Sequence, residues 1–130
     1  MKSASLVTWV LRVGVAGEFI GHGAFALQGK ATWIEWIESM LGVSTATAQN
    51  LLTAIGVADV LVGVIVLIAP IPIVLLWAAI WGFWTALVRP LVGEPFWDFV
   101  ERFANWAAPL ALLLVGGWPT SLAHWFRARR

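Results

Sequence analysis

Residues 6–27 (LVTWVLRVGVAGEFIGHGAFAL) form an apolar run long enough to cross a bilayer, yet they hold Arg12, Glu18 and His22. A crossing helix needs about 20 mostly apolar residues. A second run, residues 47–69, holds Asp59. A charge at membrane mid-depth costs roughly 2.5–3.5 kcal/mol on insertion scales. Backbone groups in lipid find no water, so such runs must be helices. Their charges must then face the inside of a helical bundle. This pattern predicts an all-α integral membrane protein with a polar site between its helices.

Composition agrees. Of 130 residues, 61% are hydrophobic and 12% are charged, against about 25% charged in soluble domains. The length suits a single transmembrane domain, residues 1–130. A net charge of +1 suggests no nucleic-acid partner. Cysteine is absent, which excludes a disulfide, a thiolate nucleophile, an iron–sulfur cluster and a cysteine zinc site. The first run lacks the form of a signal peptide, because Arg12 and Glu18 interrupt it and it is too long.

Length and helix breakers predict four spans, at about residues 6–27, 47–69, 73–88 and 96–118. Pro70-Ile71-Pro72, Arg89-Pro90 and Gly116-Gly117-Trp118-Pro119 close the last three, and Pro109 kinks the fourth. Between the first two spans, Trp33, Trp36, Ile37, Met40 and Leu41 recur at i, i+3, i+4, i+7 and i+8. That spacing marks one helical face. It predicts a short amphipathic helix on the membrane surface, begun by a Thr32/Glu35 capping box. Ser44 or Thr45 caps the second span. Lys2 precedes the first span and Arg127, Arg129 and Arg130 follow the fourth. The positive-inside rule therefore places both termini in the cytoplasm.

At about 1.5 Å rise per residue, Glu18 and Asp59 fall near mid-membrane and His22 a turn further out. Arg89, Asp98, Glu101, Arg102 and Asn105 fall at the same outer side, and Arg12 in the inner half. Two readings follow. One is a ligand or proton site of Glu18, His22, Arg89, Glu101, Arg102 and Asn105. The other is a set of structural ion pairs, Arg12–Asp59 and Glu18 with Arg102 or Arg89. Gly14, Gly17 and Gly21 on the first helix, with Gly56 and Gly63 on the second, predict close helix approach. Trp77, Trp81 and Trp84 make a stripe that suits either a flat ring, such as a quinone, or plain packing. Glu18 and His22 lack a third partner of equal quality, so no metal site is expected. His124 lies at the opposite face from His22, which argues against a haem held by one chain.

Arg12 with Gly14, Gly17, Phe19 and His22-Gly23, then Gly56-Val57-Ala58-Asp59 with Gly63, resemble the DoxX family of small bacterial four-helix membrane proteins. Arg89-Pro90-Leu91 through Glu101-Arg102 and Asn105 are similar to a stretch before the last helix in DoxX-like members. Asp59 stands where Glu is usual, and a lysine that often follows His-Gly closely is displaced to Lys30. The resemblance implies a four-helix bundle in the bacterial inner membrane. It also implies a link to membrane redox chemistry, since one family member is a subunit of thiosulfate:quinone oxidoreductase. The expected function is an accessory or quinone-proximal component of a redox system, at most a subunit of an oxidoreductase. The alternatives are a small proton-coupled transporter and a structural subunit. Expected partners are the lipid bilayer and other membrane subunits or further copies of the chain.

Overall fold

The computed structural model describes residues 3–129; Lys2 and Arg130, which enter the expected orientation, lie outside the described residues. Among the described residues the fold is all helical: α1 (Ser3–Leu27), α2 (Ala31–Leu41), α3 (Thr45–Ile68), α4 (Pro72–Leu91), α5 (Phe96–Val100), α6 (Phe103–Val115) and α7 (Leu122–Phe126). α1, α3 and α4 are long and apolar enough to cross a membrane.

The expected fourth span is not one helix. It breaks at Glu101-Arg102 into α5 and α6. The Arg102 amide bonds back to Phe99 and its backbone sits at φ −98°, ψ 14°, a tight turn rather than a helical one. The expected stop at Arg89-Pro90 is also corrected, because α4 runs through Pro90 to Leu91. Proline forfeits only its own amide bond there, and the Val92 amide still closes the turn on Val88 and Arg89. The Pro70-Ile71-Pro72 turn joins α3 to α4, with Pro72 in the first turn of α4. That position needs no proline N–H.

α1 and α3 pack antiparallel through small residues. Gly23 meets Gly56, and Gly63 meets the Ala16 carbonyl; a Cβ on Gly63 would stand 3.0 Å from that oxygen. Gly14, Gly17 and Gly21 have open space around them instead. The seam thus uses a different face of α1 from the one expected, because Val15 and Phe19 turn into the core. That core draws Val15 and Phe19 from α1, Val62 and Val66 from α3, Leu75 and Ala78 from α4, and Leu112 and Leu113 from α6. Gly82 of α4 lies against the backbone of Asn105 on α6, where a Cβ would come within 2.5 Å of the carbonyl oxygen.

α2 packs over the junction of α1 and α3, burying Ile34 with Ala26, Ala48 and Leu52. It is entered and left through glycines in left-handed backbone, Gly29 at φ 70° and Gly42 at φ 64°, a conformation that glycine takes without strain. The expected capping box is absent. The cap of α2 lies two residues earlier, at Lys30 and without a side-chain bond, so Thr32 lies inside the first turn. Ser44 caps α3 as expected, accepting from the Thr47 amide. Glu38 accepts from the Thr45 hydroxyl and ties the two helices together.

Candidate functional site

The helical periods of three elements converge on one cavity of about 250 Å³. α2 contributes Trp33, Trp36, Ile37, Met40 and Leu41, the whole predicted stripe. α4 contributes Trp81, Trp84, Thr85, Val88 and Arg89 at the same i, i+3, i+4, i+7, i+8 spacing. α3 adds Leu52, Ile55 and Asp59 on one face. His22 of α1, Arg102 at the α5–α6 break and Asn105 of α6 complete the wall. The stripe of α2 therefore lines a half-open cavity, with Met40 and Leu41 at its exposed rim.

Aromatic and polar groups alternate around the wall. The His22 ring stands edge-on to Trp33 at 5.7 Å. Lys30 lies over the Trp33 ring at 4.7 Å, and the Arg89 guanidinium over Trp36 at 5.0 Å. Trp81 and the buried Asp59 both line the cavity. Two wall residues carry buried N–H groups with no partner, Trp33 at Nε1 and Arg89 at Nε. A buried donor left unpaired costs about 1–3 kcal/mol, so each marks a place for an acceptor.

Of the predicted site residues, the cavity joins His22, Trp81, Trp84, Arg89, Arg102 and Asn105. Glu18 does not line it; its Oε1 stands behind His22, 4.0 Å from Nδ1. No ion pair from Glu18 to Arg89 or Arg102 forms, because Arg102 is held elsewhere: Nη1 donates to the Asp98 carbonyl at 2.7 Å and pairs with Glu101. That bond also places a cation at the C-terminal end of α5, where the helix dipole favours it. Glu101 is turned to the exposed side. Trp77 is outside the cavity, exposed and stacked on Trp81 with centroids 5.5 Å apart.

The expected Arg12–Asp59 pair is overturned. Arg12 is 7% exposed and spends its donors on the end of α3: Nε to Val66 O at 3.3 Å, Nη2 to Leu67 O at 2.5 Å and to Ile68 O at 2.9 Å. Those carbonyls belong to the last turn, which lacks intrahelical donors. The guanidinium fork meets that need and complements the dipole, with Trp9 packed on its face at 4.1 Å. Asp59, released from that role, belongs to the cavity.

Sequence reasoning missed Trp33, Trp36, Ile37, Met40 and Leu41 as cavity wall. Their period was legible, but a stripe of that kind faces lipid or protein equally well. Thr85, Leu52 and Ile55 carried no signal beyond lying one turn from Trp81 and Asp59. Glu18 and His22 are joined by no third His, Cys, Asp or Glu of a metal-binding group among the described residues.

No protein-family model, curated protein or solved structure matches this chain.

Proposed function

We propose that this chain is a DoxX-like multi-pass protein of the bacterial inner membrane whose cavity binds a flat, lipophilic ring molecule of the quinone class. In this reading it serves a membrane redox system as an accessory component. α1, α3 and α4 are three crossings, and α5 with α6 makes a fourth, broken one. α6 alone spans only 13 residues, about 20 Å at 1.5 Å per residue. Non-helical backbone at membrane depth is tolerated where protein buries it, as at Glu101-Arg102 beside the cavity. α2 lies at the outer surface, and both termini are cytoplasmic.

The observation that carries the reading is a ring-sized cavity walled by Trp33, Trp36, Trp81 and Trp84, with unpartnered donors at Trp33 and Arg89. Aromatic faces stack on a ring, and the donors meet its oxygens. Protein purified in mild detergent should retain a quinone in near-stoichiometric amount. Glu18→Gln or Asp59→Asn should alter quinone-linked oxidoreductase activity of the membranes. Retention of no quinone, together with unchanged activity in both variants, removes the reading. The absence of native cysteine makes orientation easy to test. Lys30→Cys should react with an impermeant maleimide from outside intact cells, and Ala128→Cys only after lysis.

A second reading is favoured by Glu18, which is largely buried and lies near Asp59. Two neighbouring intramembrane acids suit a proton-coupled transporter. Proton flux in proteoliposomes above that of empty vesicles supports it, and its absence removes it.

A further inference from the structure

We propose that the ring molecule held in this cavity carries an oxyanion, a carboxylate or phosphate group, which docks on Arg89. The inference rests on the reading of the cavity as a ring-binding site and narrows the class of ligand.

Arg89 is the cation in the wall that no acid has claimed. Its Nε is buried and unpartnered. The ion pairs among the described residues are His22–Glu18 and Arg102–Glu101, so no carboxylate lies within pairing distance of Arg89. Asp98, Glu94 and Glu101 act on it only from further away, as does the cation Arg102. Arg102 donates to Asp98 O and pairs with Glu101, so its own charge is met within the protein. Trp36 packs on Arg89 at 5.0 Å and holds its plane.

A guanidinium without an ion-pair partner at a partly buried wall keeps an uncompensated charge. A neutral carbonyl would satisfy one N–H and leave that charge unpaired. An oxyanion relieves both, and a planar guanidinium accepts it with two parallel hydrogen bonds. Asn105 and the Trp33 N–H supply further donors in the same wall. Asp59 is the acid in the wall and offers an oxyanion no cationic partner. Its side of the cavity is closed by Trp81, with Glu18 as its acidic neighbour. Leu52, Ile55 and Trp84 make an apolar part of the wall. An apolar cavity of about 150 Å³ accepts a benzene ring, so about 250 Å³ suits one or two fused rings.

The test uses the full chain in neutral phosphatidylcholine vesicles and quenching of its tryptophan fluorescence by 2-naphthoate, methyl 2-naphthoate and menadione. The expected result is that naphthoate binds at least tenfold more tightly than its ester. Arg89→Gln should reduce naphthoate to the level of the ester and leave the ester unchanged, with Arg89→Lys between. Arg102→Gln, expected to weaken naphthoate severalfold, is the second variant should Arg89→Gln not fold. Equal binding of all three probes, unaffected by Arg89→Gln and Arg102→Gln, overturns the oxyanion inference but leaves the ring site standing. Failure of all three to bind overturns the ring site and the inference with it. Adding phosphatidylglycerol identifies the source: displacement of naphthoate assigns the oxyanion to a lipid headgroup, and unchanged binding assigns it to a free ring acid. Displacement overturns the ring acid as the occupant, and unchanged binding supports it.

Discussion

Arg12 and Arg89 are both arginines in apolar helices, and the protein treats them in opposite ways. Arg12 is buried with its donors spent on three carbonyls at the end of α3. Arg89 keeps a buried Nε without a partner and faces a cavity beside a second cation. Each rests on a tryptophan, Trp9 or Trp36, so the aromatic support does not separate them. Hydrogen-bond satisfaction does. A charge whose donors are mostly met internally holds the fold together. A charge left open at a cavity wall is available to a ligand.

The difference can be broken most forcefully at Arg12. Arg12→Ala leaves the last carbonyls of α3 without donors and should destabilise the protein by about 3 kcal/mol or more, read as a lower midpoint in detergent denaturation. Arg12→Lys should recover only part, because an ammonium lacks the fork. Gly82→Ala comes next. Its Cβ would meet the Asn105 backbone, push α6 away from α4 and cost about 1–3 kcal/mol, while Gly17→Ala, in open space, should change stability by less than about 0.5 kcal/mol. Arg89→Gln removes no internal hydrogen bond and should stay within about 0.5 kcal/mol of the parent. A loss equal to that of Arg12→Ala would end the contrast. The smallest expected effect is the coupling between Arg12→Ala and Asp59→Asn, below about 0.5 kcal/mol in a double-mutant cycle. A coupling above 1 kcal/mol would restore the pair that the geometry excludes.

Much of the helical layout was legible from residue order. The apolar runs became α1, α3 and α4 to within a few residues, because length and hydropathy are properties of the chain itself. The proline turn at Pro70-Ile71-Pro72 and the cap at Ser44 were also readable, since both depend on local backbone chemistry. The break at Glu101-Arg102 was not. EPFWDFVERFAN has an acceptable helical pattern throughout, and the break shows only where Arg102, at the cap of α6, is tied back to Asp98 and Glu101.

The candidate site divides the same way. Placement by depth correctly gathered His22, Arg89, Arg102 and Asn105, because distance along a helix converts directly into height. It failed for Arg12 and Asp59, which were paired because they lie within a turn of each other in depth, with no knowledge of azimuth. Depth alone also put Glu18 and Glu101 in the wall, when one stands behind His22 and the other faces outward.

Residue order therefore settles which segments are helical, which are long and apolar enough to cross a membrane, and which polar groups share a level. Those properties come from local backbone chemistry and from the energy of removing apolar side chains from water. Which groups at one level actually touch depends on the rotation of each helix about its own axis. That rotation follows from packing between segments distant in sequence: Gly23 on Gly56, Ala16 on Gly63, Gly82 on Asn105. These contacts turn the α2 stripe and the Trp81–Arg89 face toward one another, enclose the cavity between them, and leave Arg12 to the end of α3.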